Sequence, residues 1–171
     1  MKMRGDIIKV IFLDIDGVLN FNGCRDKIGG LYFVNDNRIK LLKEIIDATG
    51  AKIVLSSTWR IGWYDRDYGL HSPHVEDFNK LEEKLNESGI TFISRTPILP
   101  SGYRGEEIKS WLDNWMGEPV ESFVIIDDDS DMKPFMDRLV QTSFNKGLQQ
   151  KNVDKAIRLL NDERMVNVRQ R

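Results

Sequence analysis

The arrangement of short apolar segments restricts the fold of this chain more than any other feature of the sequence. Segments 8–13 and 123–126 are nearly continuous apolar runs, as expected of parallel strands that are covered on both faces. Amphipathic stretches of helical length separate the apolar segments. This alternation predicts an α/β fold with a doubly wound, Rossmann-like parallel sheet of about five strands. The predicted strands are Ile8–Leu13, Lys52–Leu55, Thr91–Ile93, Phe123–Ile126 and Leu139–Gln141.

Four amphipathic stretches predict the helices that cover this sheet. Each has apolar residues three or four positions apart. The first stretch, 39–46, is preceded by Asn35 and Asp36, either of which can cap a helix, and Gly50 follows as a stop signal. The other three stretches contain residues 78–85, 108–115 and 153–160.

Length and composition favour one cytoplasmic domain. The 171 residues suit one hydrophobic core better than two, and we expect a single domain at 1–163 followed by a basic tail at 164–171. The formal net charge of -2 excludes a global positive field, so any contact with nucleic acid would need a local patch. Cys24 is the only cysteine, which excludes an internal disulfide. No apolar segment has the length or flanks of a signal peptide or membrane span.

Polar residues follow three of the predicted strands directly. They occupy positions 14–17, 56–58 and 127–131. In open parallel sheets the ligand site lies beyond the carboxyl ends of the strands, where the strand order switches. We therefore expect these three segments to converge in one crevice, which is the candidate active site.

The acidic residues of this crevice indicate metal-assisted phosphoryl chemistry. Asp14 and Asp16 are two positions apart, so they point the same way on an extended segment and repel each other and the cluster from Asp127 onward. Mg²⁺ would resolve this conflict because it prefers oxygen ligands. Gly17 allows a sharp turn whose backbone N–H groups could receive phosphate oxygens. One carboxylate could attack phosphorus while another protonates the leaving oxygen.

Three segments resemble motifs of the haloacid dehalogenase (HAD) superfamily of phosphatases. Residues 12–20, Phe-Leu-Asp-Ile-Asp-Gly-Val-Leu-Asn, look like its first motif. Ile53–Ser56 is similar to the second motif and Val124–Asp128 to the fourth. The motifs occur in the family's order along almost the whole chain, which implies a HAD-like fold and a phosphoric monoester hydrolase.

The resemblance also implies a role for individual residues. Asp14 would be the nucleophile, and Asp16 would be the general acid and then the base that hydrolyses the phosphoaspartate. Ser56 would hold the transferring phosphoryl group. Mg²⁺ would be held by the Asp14 side chain, the Asp16 backbone carbonyl, and Asp127 or Asp128.

The third motif of the family is a basic residue near the start of the helix before the fourth strand, usually lysine. Here Arg104 lies at the predicted helix entry, and Lys109 lies deeper in the helix. Either cation could spread the charge of a phosphoryl group, and arginine can grip two oxygens at once. We assign the catalytic role to Arg104, with Lys109 as the alternative.

Features around the site suggest a large substrate. Neither 18–35 nor 96–102 is long enough for the cap domain that many HAD enzymes insert there, so the site should be open. The segments Asp-Gly-Val-Leu-Asn, Leu-Ser-Ser-Thr-Trp-Arg and Arg-Gly-Glu-Glu-Ile resemble HAD domains of RNA-repair proteins and polynucleotide kinase-phosphatases. Segment 59–68 interleaves aromatic residues with arginines, which can stack bases and hold phosphates. The predicted substrate-binding residues are Gly17, Ser57, Arg60 and Trp63.

We therefore expect a phosphorylated substrate such as a nucleic-acid end with a 3′-phosphate, and no membrane or obligate protein partner. The alternatives are a small-metabolite phosphatase of the same superfamily, and a non-catalytic phospho-receiver or binding module. The aromatic residues of 59–68 could also simply pack onto the domain. His71 and His74 are predicted in an exposed loop, and Cys24 is not expected to be catalytic.

Overall fold

The computed structural model of the chain describes residues 5–28 and 31–162. The predicted basic tail, 164–171, and the domain boundary at 163 lie outside the described residues. A parallel sheet of five strands, flanked by helices, forms the centre of the fold and confirms the predicted α/β class. Its strands are β1 (Ile8–Leu13), β4 (Lys52–Leu55), β5 (Phe92–Arg95), β6 (Val120–Asp127) and β7 (Leu139–Gln141), and an antiparallel hairpin of β2 (Lys27–Ile28) and β3 (Leu31–Tyr32) lies apart from it.

Five α-helices are present in the described part of the chain. Four of them coincide with the predicted amphipathic stretches, and the helix that follows β4 was not predicted. Within the described ranges, none has the length and apolar character that a membrane span requires. The helices are α1 (Asp36–Thr49), α2 (Arg60–Asp67), α3 (Pro73–Glu87), α4 (Arg104–Asn114) and α5 (Gln150–Leu160).

Strand β1 is central because both of its faces are covered. Ile11 and Leu13 pack into the cluster built with α1, α3 and α5, whereas Val10 and Phe12 pack into the cluster on α4. All four side chains are fully buried. Successive side chains of a strand point to opposite faces, so a strand between two helical layers must be apolar throughout. The apolar run from Val10 to Leu13 thus follows from its position, and the one polar residue of β1, Lys9, is partly exposed.

The strand order brings three strand ends together at one edge of the sheet. The order is β5-β4-β1-β6-β7, so β1 lies between β4 and β6. Leu13 is in register with Leu55 of β4 and Ile126 of β6. Two hydrogen bonds extend this register, from the Asp14 amide to the Ile126 carbonyl (3.0 Å) and from the Ser56 amide to the Leu13 carbonyl (2.8 Å). The residues after β1, β4 and β6 are therefore neighbours, as predicted.

Strand β6 begins three residues earlier than predicted. Glu121 and Ser122 interrupt the apolar pattern that marks the rest of the strand. Ser122 is nevertheless buried, and its hydroxyl donates to the Leu160 carbonyl at 2.6 Å. A buried hydroxyl that is hydrogen-bonded costs little, which is why a polar residue is tolerated here.

In the described residues, the connection between β1 and α1 contains the small hairpin of β2 and β3. No inserted domain is present in the described residues of this connection, or between β5 and α4. The prediction that neither connection holds a substantial cap is therefore confirmed.

Candidate active site

Three carboxylates meet where β1 and β6 end. One oxygen from each of Asp14, Asp127 and Asp128 lies within 4.8 Å of the others. Asp14 and Asp127 are buried, and Asp128 is half-buried. Such a set of hard oxygen donors fits a divalent cation such as Mg²⁺, which needs carboxylates and leaves room for water and phosphate oxygens. These three residues form the acidic triad.

Burial and mutual repulsion make the triad costly to ionise without a cation. Burial is the main cause that raises the pKa of Asp14 to about 7, with Asp128 and Asp16 adding repulsion and Arg104 opposing it. Burial and the nearby Asp14 raise the pKa of Asp127 to about 9. Burial first, and repulsion from Asp129 second, raise the pKa of Asp128. A bound cation would favour the charged forms, so the electrostatics and the donor set agree.

Gly17 makes the turn that brings the chain past the triad. Its φ of 78° lies in the left-handed region, and a Cβ atom at this position would overlap the carboxylate of Asp128. Its carbonyl accepts from the Thr142 hydroxyl at 2.6 Å, and its N–H donates to Asn20 Oδ1 at 2.9 Å. Because this N–H is already used, the predicted role of Gly17 as a phosphate ligand is not supported. The glycine is needed for the close approach to Asp128.

The carboxylate of Asp16 lies outside the triad. Trp59 Nε1 is 3.2 Å from both of its oxygens, and Asn20 Nδ2 donates to Oδ1 at 2.9 Å. Two N–H donors from different parts of the chain therefore fix this side chain. The arrangement separates the two aspartates of the first motif, since Asp14 joins the triad and Asp16 faces Trp59.

Ser56 and Arg104 each bring an unused donor to the site. Ser56 is 1% exposed, and its hydroxyl oxygen has no hydrogen-bond partner. Arg104 Nη1 is likewise buried without a partner, and the positive charge of Arg104 opposes the pKa rise of Asp14 and Asp127. Buried donors are normally satisfied, so unpartnered ones beside a carboxylate cluster indicate a place for an anionic ligand.

The structure also distinguishes Arg104 from Lys109. Arg104 is the first residue of α4, and its backbone N–H donates to Asp131 Oδ2 at 3.2 Å. The next residue, Gly105, packs so closely on the loop after β6 that a Cβ atom would overlap the Lys133 carbonyl. Lys109 is exposed and pairs with Asp113 one turn later. The geometry therefore favours Arg104 for the basic role.

Comparison with known families agrees with this geometry. Residues 10–153 match the family described as the HAD domain in Swiss Army Knife RNA repair proteins. The match contains all three strand ends and most of the chain. This chain belongs to that HAD family. A search of curated proteins finds no match.

Arg60 of this HAD domain is not placed to bind substrate. It is buried, and it forms an ion pair with the buried carboxylate of Glu107. The remaining donors are also used, because the guanidinium bonds the carbonyls of Ser57 (2.7 Å), Thr96 (3.1 Å) and Pro97 (3.3 Å). The predicted substrate contact is therefore corrected to a structural role that joins α2, α4 and the end of β5.

Trp63 also faces the interior rather than the site. Its ring stacks on Phe78 at 5.3 Å between centroids and lies 6.1 Å from Phe92. The guanidinium of Arg95 covers the ring at 4.9 Å from its centroid. The aromatic residue packs onto the domain, which was the alternative to the predicted substrate contact.

Ser57 is fully buried, and its hydroxyl oxygen accepts from the Trp59 amide at 3.3 Å. This contact shapes the entry to α2, so a direct substrate role for Ser57 has no support in its surroundings. His74 is exposed but lies on α3 rather than in a loop, whereas His71 is in the exposed loop before it.

Two residues of the site were missed by the sequence reasoning. Asn20 is fully buried and links the Gly17 amide to the Asp16 carboxylate. Trp59 reaches the same carboxylate from 43 positions away in the chain. Asn20 lies inside the recognised first motif and could have been selected as a buried amide after a turn. Trp59 carries no comparable signal, because nothing in the sequence indicates where an indole N–H will point.

Mg²⁺ should raise the melting temperature of the HAD domain by about 5 to 10 °C when it is about 100-fold above its dissociation constant. The increase should be larger at about pH 8.5 than at about pH 6. The pKa values of Asp14 and Asp127 are raised from 3.8 to about 7 and about 9, so the folded protein favours the protonated form of both side chains. Their contribution to folding stability is complete below pH 3.8, and it is lost as the pH rises through about 7 for Asp14 and about 9 for Asp127. Bound Mg²⁺ would offset the repulsion that then develops. Thermal unfolding with and without Mg²⁺ measures the effect.

The control for this experiment compares two aspartates. Asp127→Asn should remove most of the Mg²⁺ effect, whereas Asp113→Asn, on an exposed side chain of α4, should retain it. A stabilisation of equal size in both variants would mean that the cation binds elsewhere.

Loss of Glu107 should destabilise the domain strongly. Glu107→Ala leaves the guanidinium of Arg60 buried without its charge partner, which costs about 3–5 kcal/mol. Lys109→Ala breaks an exposed ion pair on the same helix and should cost less than about 1 kcal/mol. Urea unfolding of both variants gives the two free energies. If Arg60→Ala kept full stability and lost only substrate affinity, the structural role assigned to this pair would be wrong.

Proposed function

We propose that this HAD domain is a Mg²⁺-dependent phosphohydrolase that cleaves phosphoric monoesters through a phosphoaspartate on Asp14. The observation that carries the proposal is the meeting of the triad with the unpartnered donors of Ser56 and Arg104. The triad supplies a nucleophile and cation ligands, and the two donors match the oxygens of a phosphoryl group. Membership of the HAD family supports the interpretation of this combination as a phosphatase site rather than a structural cluster.

The first step is attack by the Asp14 carboxylate oxygen on phosphorus. The bond between phosphorus and the leaving oxygen breaks, and Asp16 gives that oxygen a proton. Asp14 then carries the phosphoryl group as an acyl phosphate. Ser56 and Arg104 hold the phosphoryl oxygens, where charge is spread in the transition state.

The second step restores the enzyme. Asp16, now ionised, takes a proton from a water molecule, and the resulting oxygen attacks phosphorus. Phosphate leaves and Asp14 is again a free carboxylate. Asn20 and Trp59 hold the Asp16 carboxylate in one place for both proton transfers.

Mg²⁺, when bound, would neutralise the charge between the carboxylates and the phosphoryl oxygens. Its ligands would be the side chains of Asp14, Asp127 and Asp128, with the Asp16 carbonyl as the ligand that the family pattern adds. The acidic triad fits this role, because its carboxylates are close together and burial of Asp14 and Asp127 makes their joint ionisation costly without a cation.

The proposed substrate is a nucleic-acid end that carries a terminal phosphate, most simply at the 3′ position. The family's description places such domains in RNA repair proteins. The hairpin of β2 and β3 is too small to enclose a substrate, which favours a large substrate that projects into solvent. This HAD domain therefore has the features expected of an enzyme that processes polymer ends.

Asp14→Asn should lower turnover by at least about 10³-fold while the protein stays folded, because an amide cannot attack phosphorus. The assay is release of inorganic phosphate, with Mg²⁺, from a 3′-phosphorylated oligonucleotide and from a small aryl phosphate. Asp113→Asn is the matched control and should be fully active. Activity of Asp14→Asn within a few-fold of wild type would refute the mechanism, and a phosphorylated metabolite that outcompetes every oligonucleotide would refute the substrate class alone.

A further inference from the structure

A groove of about 400 Å³ opens beside the carboxylate of Asp16. Its lining residues come from five parts of the chain, namely the loop after β1, the β2–β3 hairpin, the start of α2, the beginning of α3, and the loop that contains residue 144. Most of its surface is apolar or aromatic. The main wall residues are Leu31, Tyr32, Trp59, Ile61 and Phe144.

Two large apolar side chains on this groove are unusually exposed. Leu31 is 55% exposed and Phe144 is 44% exposed. A ligand in the groove would cover both side chains. Tyr32 packs against Phe144 with ring centroids 6.4 Å apart and an interplanar angle of 60°. A contiguous apolar surface that remains exposed in a soluble domain commonly marks a binding site.

The charges around the groove restrict its occupant. The polar lining residues are Asp16, Thr58, His74 and Asp77, and no lysine or arginine is among the described lining residues. Lys27 Nζ lies over the Tyr32 ring, 4.8 Å from its centroid, but Lys27 is not among the described lining residues, so the two carboxylates still disfavour an anionic group in the groove. They favour a neutral group with hydroxyl or amino hydrogens to donate, and the aromatic walls favour a flat ring.

The position of Asp16 decides which part of a substrate reaches the groove. In the proposed reaction Asp16 gives its proton to the leaving oxygen, so the group attached to that oxygen must lie on the Asp16 side of the phosphorus. Asp16 is also one of the residues that line the groove. The occupant is therefore the portion of the substrate that leaves after phosphoryl transfer.

We propose that this groove binds the terminal nucleoside of the leaving group, with its base against Tyr32 and Phe144. This inference rests on the proposed function, since it assumes that Asp16 serves the leaving oxygen. A nucleoside has a flat, uncharged base and sugar hydroxyls, and it thus matches the aromatic walls and the acceptor groups of Asp77 and Thr58. Phe144 and Leu31 are then specificity-determining residues, because they contact the nucleoside and not the phosphoryl group.

The test compares three phosphate esters with Mg²⁺. The first is an oligonucleotide with a 3′-phosphate on a normal terminal nucleotide, the second is the same oligonucleotide with an abasic terminal nucleotide, and the third is glycerol phosphate. Wild type should prefer the first over the second by at least about fivefold in kcat/KM, which is the range that base stacking on an aromatic side chain supplies. Phe144→Ala should reduce this ratio towards one, and Phe144→Trp should preserve it.

Two further variants separate the groove from general effects. Leu31→Ser removes apolar surface from another lining residue and should also lower the ratio, whereas Met116→Ala, 94% exposed and outside the groove, should leave it unchanged. Hydrolysis of all three esters with equal kcat/KM for the normal and abasic ends would overturn the groove assignment and leave the phosphohydrolase intact. Hydrolysis of none of them would refute the proposed function and this inference with it.

Discussion

The repulsion between three neighbouring carboxylates, two of them buried and one half-buried, is the constraint on which the rest of this structure depends. Asp14, Asp127 and Asp128 lie close enough together to hold one cation, and burial makes the ionisation of Asp14 and Asp127 costly. A protein that only had to be stable would not bury these groups together, because replacing them with apolar or neutral residues would remove the cost. The cost is understandable if a cation and a phosphoryl group complete the site.

The surrounding fold holds this unfavourable group in place. The register of β1 with β4 and β6 places Asp14 between Ser56 and Asp127 through backbone hydrogen bonds. The buried pair of Arg60 and Glu107 then connects the segment after β4 to the first turns of α4. Arg104 lies one turn before Glu107 on α4. The ion pair of Arg60 and Glu107 therefore also holds the turn of α4 that carries the guanidinium of Arg104. The two arginines therefore have different roles. Arg60 supports the site from within the domain, and Arg104 is available to a ligand.

The sequence predicts the sheet and the triad well because both depend on local patterns. A strand buried on both faces must be apolar throughout, and the acidic residues follow such strands directly. Helix α2 was not predicted because its signals are weak. Trp59 before it makes no side-chain cap, and Gly62 within it is required where a Cβ atom would overlap the His74 carbonyl. Glycine in a helix normally lowers helix propensity, so close packing overrides the local preference here.

The individual binding residues were harder to predict because their roles depend on partners that are distant in the sequence. Arg60 and Trp63 have the composition of a nucleic-acid contact, yet carbonyls near Thr96 and the ring of Phe78 surround them. Trp59, in the same segment, instead points its indole N–H at Asp16 and lines the groove. Packing against β5 and α3 determines which side of α2 faces the core. The sequence pattern within residues 59–68 does not indicate this side.

The most direct test of the account is to locate the phosphoryl group during turnover. The protein is mixed with substrate and Mg²⁺, quenched within one turnover, and treated with borohydride, which reduces an acyl phosphate to an alcohol. Peptide mass spectrometry then identifies the reduced residue. The account predicts that the reduced residue is Asp14 and that no other aspartate is modified. Reduction at another carboxylate, or a phosphoryl group found on a serine or histidine during turnover, would contradict it.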